Sequence, residues 1–354
     1  MDIMVLEGDG IGPEIVESAT EIISALKDNY GLKIDLQIYD VGARTMKEGK
    51  WTLEKVVDEA KRYDAILKAP MGDPAVRNNS DTEAALDVIL GLRFQLDLFA
   101  NIRPVKLFPG VRSVLRGYDK ESSIDYTILR ENSEGLYASH FGGLILRDEI
   151  AIDDQIITRK GSERIFRYAF ELAENGSGNP SRRKKIVTCV DKSNVLKSYA
   201  FFRKIFIEVS KSYKDIETKF MYADAMAQYM LLHPDELNVI VTENMFGDIL
   251  SDLGAATVGG LGFAYSANVS EERGMFEPVH GSAVDIAGKG IANPTAMIMS
   301  LSLMLKWLKF DKEAWKVENS LFDTLRAGVR TPDIGGNYKT SQFTNKIIDN
   351  LSKD

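Results

Sequence analysis

Apolar residues along this chain fall into two alternating patterns. Short uninterrupted apolar runs are followed by longer stretches in which apolar positions recur every three or four residues. These are the signatures of buried strands and of amphipathic helices. Ile3-Met4-Val5-Leu6 is of the first kind, and residues 14–27, with Ile15, Ala19, Ile22, Ile23 and Leu26, are of the second. Pro13 suits the first turn of that helix, where a missing N–H is no loss. The rhythm continues with a strand at 34–39, a helix near 53–61 and a strand at 65–69. Further strands are predicted at 126–129, 185–190 and 239–242, each followed by a helical pattern. Such alternation builds an α/β fold around a largely parallel sheet.

Two stretches break the rhythm. Residues 140–158 alternate polar and apolar positions around Gly142-Gly143, which predicts a hairpin or protruding strand arm. Residues 259–294 are rich in Gly, Pro, Ala and Ser and read as a long irregular segment of the functional kind. Residues 175–180 read as a surface turn. The most apolar late segment, 297–310, is interrupted by Lys306 and Lys309 and is too short to cross a bilayer.

At 354 residues, the chain has room for two domains. An apolar fraction of 44% with 27% charged residues excludes a disordered or collagen-like chain. The balance of 44 basic against 52 acidic residues, a net charge of −8, removes the general positive field that would hold nucleic acid. A single cysteine, Cys189, makes no intrachain disulfide. The first ten residues lack the basic and apolar regions of a signal peptide, so a soluble, cytoplasmic protein is expected.

Four groups of residues could carry chemistry. Gly8-Asp9-Gly10-Ile11-Gly12-Pro13-Glu14 lies between a strand and a helix, where phosphates bind readily, but Pro13 stands where the dinucleotide fingerprint requires glycine. This argues against a Rossmann domain. Asp248 and Asp252 are four apart in a helical pattern, so their carboxylates share a face. Oxygen ligands without histidine favour Mg²⁺ or Mn²⁺, the alternative being a surface position near a helix end. Asp224 is a third candidate ligand whose proximity the spacing does not establish. Arg93, Arg103 and Arg130 could clamp carboxylates, although each taken alone reads better as a surface ion pair. Tyr137 and Lys192 could move protons if the fold brings them to the arginines. In residues 277–294 small side chains would let a ligand approach the backbone while Asp285 accepts from ribose hydroxyls, and Asn293-Pro294 also reads as the cap and first turn of the next helix.

Together these segments resemble the β-decarboxylating dehydrogenases of the isocitrate/isopropylmalate dehydrogenase family. The likeness runs from GDGIGPE through LRFQLDLFANIRP, RENSEGLY, VDKSNVL, YADAMA, TENMFGDILSDL and EPVHGSAVDIAGKGIANP to TPDIGGN. The resemblance implies a two-domain, doubly wound α/β fold distinct from the Rossmann fold. Residues 1–100 and 255–354 would form the cofactor-side domain. Residues 101–254 would form the dimerisation and metal-site domain, with its arm at about 140–158. It implies a homodimer with shared active sites, its interface built from that arm and from helices around 192–211 and 248–256. It assigns Arg93, Arg103 and Arg130 to the malate carboxylates, and Asp248 and Asp252 to the metal of one subunit, with Asp224 of the other as ligand or base. Lys192, also from the other subunit, would help remove the hydroxyl proton, and Tyr137 would protonate the enolate. Cofactor contacts fall on Ile11, His280, Gly281, Ser282, Ala283, Asp285, Ile286 and Asn293. A 2′-phosphate needs a cation, whereas Asp285-Ile286 offers an anion and an apolar group, so NAD⁺ is expected.

Substrate choice rests on the helix before Arg93, which in this family faces the C3 group of malate. Isocitrate users resemble a pattern with Ser and Asn at the positions of Asp87 and Ile89, and homoisocitrate users tend to place arginine at or near Leu90. An apolar Val88/Ile89/Leu90 wall would leave a third carboxylate desolvated and unpaired, at a cost of several kcal/mol. Oxidative decarboxylation of 3-isopropylmalate to 2-oxo-4-methylpentanoate, a step of leucine biosynthesis, is therefore expected. D-malate or tartrate comes next, then isocitrate or homoisocitrate. A ligand- or RNA-binding protein that keeps the fold is disfavoured, because a pure binder has no need of an acid, a base and a metal pair. Glu7 and Lys68 depart from the family pattern and are expected to pair with one another. The loop at 73–81 precedes the specificity helix and could shape it.

Overall fold

A computed structural model describes residues 1–77, 85–176 and 185–353. The chain divides into two compact units: Met1–Leu98 with Phe108–Arg112 and Gly259–Asp354, and Phe99–Leu107 with Ser113–Val258.

The first unit opens with β1 (Asp2–Leu6), α1 (Gly12–Tyr30), β2 (Asp35–Tyr39), α2 (Ala43–Lys47), α3 (Leu53–Ala60), β3 (Ala65–Lys68) and α4 (Leu86–Gln95). The helix α1 buries Ile15, Ala19, Ile22, Ile23 and Leu26, starts at Pro13 and stops at Gly31, whose left-handed backbone turns its N–H onto the last carbonyls. The second unit carries β4 (Ala100–Lys106), β5 (Asp125–Glu131), β6 (Leu144–Leu146), β7 (Ile150–Ile152), α5 (Arg159–Glu174), β8 (Ile186–Asp191), α6 (Lys197–Ser210), β9 (Glu217–Tyr222), α7 (Ala223–Leu232), β10 (Val239–Thr242) and α8 (Asn244–Thr257). The chain then completes the first unit with β11 (Tyr265–Val269), β12 (Gly274–Pro278), α9 (Thr295–Trp307), α10 (Asp311–Arg326) and α11 (Thr340–Leu351).

In the first unit the strand order is β2-β1-β3-β12-β11, parallel except for the β11/β12 pair. In the second it is β4-β5-β10-β8-β9, with only β4 antiparallel. The strands β5, β8 and β10 are buried at every residue. A parallel sheet covered on both faces demands this, and it explains the uninterrupted apolar runs. The first unit's core gathers Met4, Leu6, Val56, Ile66, Val88 and Leu92. In the second, Phe166, Phe170, Phe202 and Phe206 of α5 and α6 pack ring against ring with centroids 4.5–5.4 Å apart.

The segment 259–294 is not irregular throughout, because its residues 265–269 and 274–278 pair as strands. All ten are buried, so polar–apolar alternation is missing, and the abundance of Gly, Ala and Ser hides the strands from a composition argument. The strands β4 and β9 also lie outside the sequence reading. After β5 the first element is a single 3₁₀ segment, Leu136–Phe141, rather than an α-helix. Residues 140–158 contain the β6/β7 hairpin, whose Leu144, Ile145, Leu146, Ile150 and Ile152 are all exposed. Residues 177–180 of the expected turn and 78–81 of the loop before α4 lie outside the described residues. No described helix is long and apolar enough to cross a membrane.

Candidate active site

Parallel α/β sheets place ligand-binding groups beyond the carboxyl ends of their strands. In the second unit those ends carry five of the candidates: Arg130 at the end of β5, Lys192 after β8, Asp224 after β9, and Asp248 and Asp252 on the helix after β10. Register brings Asn101 of β4 opposite Arg130, and Thr242, the last residue of β10, beside it.

Asp248 is the hub of one cluster. Its Oδ1 accepts from Arg130 Nη1 and lies 3.2 Å from Arg103 Nη1, and its Oδ2 accepts from the Tyr137 hydroxyl at 2.9 Å. Arg103 Nη1 also lies 3.7 Å from Asp252 Oδ1 and donates to Ser251 Oγ at 2.5 Å, while its Nε donates to Asn101 Oδ1 at 2.7 Å. The guanidinium of Arg130 sits 5.3 Å from the centre of the Tyr137 ring. Both arginines are buried, whereas more than half of the Asp252 side chain is exposed. Burial, reinforced by the Asp248 charge, raises the Asp252 carboxyl above its ordinary range against the pull of Arg103. Burial first, and then Asp248, also pushes the Tyr137 phenol up, so it holds its proton.

Local structure explains this convergence. Glu243 caps α8 by accepting from the N–H groups of Phe246 and Met245. Asn244, Asp248, Ser251 and Asp252 then follow at helical spacing on one face. Gly247 lets Arg130 cross close to the helix, since a Cβ there would lie 2.6 Å from Arg130 Cβ and Cγ. Asn244 and Ser251 were not among the sequence candidates, although their three- and four-residue offsets from Asp248 were the available signal. The Asn244 Oδ1 accepts from Arg130 Nε at 2.8 Å and Nη2 at 2.6 Å, and its Nδ2 donates to the Glu134 carbonyl at 2.9 Å.

Lys192 and Asp224 form a second cluster. The Lys192 ammonium donates to Asp224 Oδ1 at 2.6 Å, which holds the Asp224 carboxyl below its ordinary range. Among the described residues no group of three or more His, Cys, Asp or Glu side chains could hold a metal ion, so Asp224 does not join Asp248 and Asp252 within the chain.

The remaining candidates belong to the first unit. Arg93, in α4, donates from Nη2 to Glu277 Oε1 at 2.9 Å. Lys68 pairs with the same carboxylate at 2.6 Å, which overturns the expected Glu7–Lys68 pair: β12 lies beside β3 and brings the buried Glu277 to the buried lysine. The apolar wall also needs correction. Val88 is fully buried in the core and so leaves the wall, whereas Ile89 packs against that core half-buried and Leu90 lies outside the cluster. Helical geometry is the reason, since Val88 shares its face with Ala85 and Leu92.

The cofactor candidates gather around the turn after β1. Ile11 N–H donates to the Ser282 carbonyl at 2.8 Å, and Ser282 Oγ donates to the Gly72 carbonyl at 2.5 Å. Gly10 is required here because it has φ +62° and a Cβ would fall 1.9 Å from the Ser282 oxygen. His280 Nδ1 lies 3.0 Å from the Gly281 carbonyl, and burial lowers its basicity against that contact. Ala283 adopts a positive φ of 42°. Gly281 and Asp285 are exposed, and Ile286 is half-buried. Asn293 accepts from Thr295 N–H at 3.0 Å and donates to Asp333 at 2.9 Å, so it fastens the start of α9.

Comparison with known proteins gives the same answer across the whole chain. The model of the isocitrate/isopropylmalate dehydrogenase family matches residues 2–347. The chain is 43% identical over 355 residues to the 3-isopropylmalate/3-methylmalate dehydrogenase of Methanocaldococcus jannaschii, with 99% of both chains covered. It is 42% identical over 347 residues to the 3-isopropylmalate dehydrogenase of Archaeoglobus fulgidus, with 98% of each covered. The crystal structure of isocitrate dehydrogenase from Methylococcus capsulatus superposes with a TM-score of 0.87 at 36% identity, covering 99% of both chains. The chain belongs to the isocitrate/isopropylmalate dehydrogenase family and is a decarboxylating dehydrogenase.

Proposed function

We propose that this enzyme oxidises and decarboxylates 3-isopropylmalate to 2-oxo-4-methylpentanoate, with NAD⁺ as oxidant and Mg²⁺ or Mn²⁺ as metal. The observation that carries the reading is the Arg103–Arg130–Asp248–Asp252–Tyr137 cluster at the strand ends of the second unit. It combines fixed cations for a di-acid, hard oxygen ligands and a protonated phenol. Full-length relatives named for 3-isopropylmalate support the substrate.

The residues fit both absent groups. Two carboxylates one helical turn apart, both within ion-pair reach of Arg103 and one of them more than half exposed, suit a divalent cation as hard oxygen donors. The exposed Asp285, in a loop held against the turn after β1, suits a ribose without a 2′-phosphate. When bound, NAD⁺ accepts the hydride and the cation polarises the hydroxyl oxygen and then the ketone.

The chain's own groups supply the rest. Arg93, Arg103 and Arg130 neutralise and orient the malate carboxylates. Lys192, contributed with Asp224 by the other subunit, helps remove the hydroxyl proton once its own proton has passed to the Asp224 carboxylate it touches, and Tyr137 returns a proton to carbon after carbon dioxide leaves. Leu90 meets the isopropyl group, where an added carboxylate would lack a partner. Asp224 completes the ligand set of a second subunit. That homodimeric arrangement is supported by the separation of Asp224 from Asp248 and Asp252 within one chain, and by the exposed apolar β6/β7 hairpin.

The test follows NADH absorbance with enzyme, Mg²⁺, NAD⁺ and each acid in turn. The expected result is the highest kcat/KM with 3-isopropylmalate. A higher value with D-malate or isocitrate would overturn the assignment. One observation favours a second reading: with Val88 withdrawn into the core, the wall narrows to Ile89 and Leu90, which suits a smaller alkyl group, such as that of 3-methylmalate, as well.

A further inference from the structure

The first unit contains three charged side chains that almost no solvent reaches. Glu277, on β12, has a side chain 6% exposed. Its Oε2 accepts from Lys68 Nζ at 2.6 Å, and its Oε1 from Arg93 Nη2 at 2.9 Å and Asn268 Nδ2 at 2.8 Å. Lys68 is 2% exposed, and its ammonium also donates to the Ala69 carbonyl at 3.2 Å. Burial alone would raise the Glu277 carboxyl, but the two cations outweigh it and hold the group well below the usual carboxylate range. The cluster therefore contains two positive charges and one negative charge.

Arg93 uses one of its five N–H donors in this arrangement, and its buried Nε meets no acceptor. An orphan guanidinium donor beside a net positive charge is a built place for an anion. Without Lys68, Arg93 would be the sole counter-ion of Glu277. The guanidinium would turn its fork onto that carboxylate, and the local charge would fall to zero.

We propose that Lys68 is a positioning residue that neutralises Glu277 and so leaves Arg93 free to hold a carboxylate of the substrate. This rests on the reading above that Arg93 takes such a group. Lys68 touches no substrate in this account. It acts through Glu277.

The test compares wild type, K68M, K68R and the double variant K68M/E277Q. Two readouts are used: steady-state KM for 3-isopropylmalate, and the shift in thermal midpoint produced by malonate, a dianion that is not oxidised. K68M is expected to raise KM about ten-fold or more, with a smaller change in kcat, and to abolish the malonate shift. K68R, which keeps the charge, should retain both. K68M/E277Q should bring KM back to within about three-fold of wild type and restore the malonate shift, because no buried anion then competes for Arg93. A K68M enzyme with unchanged KM, or a double variant as impaired as K68M, overturns the proposal. If K68M does not fold, the double variant, which keeps the cluster's net charge of one, decides by its response to malonate. A wild type that oxidises none of the acids refutes the functional reading, while the malonate series still judges the role of Lys68.

Discussion

Asn244 offers the sharpest test of how the second unit builds its cluster. Its side chain is buried, and its one carbonyl oxygen serves both Nε and Nη2 of Arg130 while its amide nitrogen grips the Glu134 carbonyl. Asn244→Ala removes three hydrogen bonds, two of them to a charged group, and leaves buried donors without the acceptor they use. Hydrogen bonds to charged groups contribute about 1.5–3 kcal/mol each, and with partial relaxation of Arg130 onto Asp248 the net loss of stability should be about 3 kcal/mol. The functional loss is expected to be larger in kind. A guanidinium displaced by roughly 1 Å from a reacting di-acid lowers kcat/KM by about a hundred-fold. Urea titration of the purified enzyme and initial rates of NADH formation measure the two effects. Because Asn244 acts through Arg130, Arg130→Lys and the double variant should be no worse than the more damaging single change. An Asn244→Ala enzyme whose stability and KM stay within about two-fold of wild type would refute the reasoning, as would fully additive losses, since Arg130 would then be held by its other contacts.

Three further outcomes are expected. Gly247→Ala adds a methyl 2.6 Å from Arg130, so it should cost about 2 kcal/mol and reduce turnover, although alanine is intrinsically the better helix former; a more stable, fully active variant in thermal unfolding would contradict the packing. The buried Glu131 carboxyl is pushed from 4.5 to about 7, burial outweighing the donors from Ser133 and Glu134. The folded chain thus binds this proton more tightly than the unfolded chain. The stabilisation is complete below pH 4.5 and is lost as pH rises through about 7, which amounts to about 3 kcal/mol. Denaturant midpoints across that window should fall in the wild type and stay flatter in Glu131→Gln. Finally, Asp224→Asn and Asp248→Asn enzymes, each inactive alone, should regain about a quarter of wild-type activity when unfolded and refolded together in equal amounts, because half the dimers then hold one intact site. Continued inactivity of properly mixed dimers would place both aspartates in the site of a single chain.

What the sequence made legible, and what it did not, follows from the range over which each signal acts. Strands such as β1, β5, β8 and β10 are covered on both faces, and short apolar runs announce them directly. The pairing of Asp248 with Asp252 is a local helical property, and so is the presence of Asn244 and Ser251 on the same face, which the same periodicity could have given. The strands β11 and β12 escaped because they are buried at every residue, so no polar–apolar alternation marks them, and they are embedded in a Gly-, Pro-, Ala- and Ser-rich segment that reads as a loop.

Charge partners are harder to read, because an ion pair depends on which strands lie side by side. Lys68 pairs with Glu7 on the sequence alone, because both stand near carboxyl ends of strands in the first unit. The residue that answers it lies more than two hundred positions later, on a strand that β3 meets only in the folded sheet. The error is instructive about Arg93 as well. Read alone, Arg93 is a surface ion pair before it is a substrate clamp, and a single Arg93–Glu277 contact would favour the first. The buried lysine on the other oxygen changes that weighing: a carboxylate already neutralised by an ammonium cannot also be the reason a second cation is kept out of water. On the proposal made above, the positive charge of Arg93 is then left for a carboxylate of the substrate.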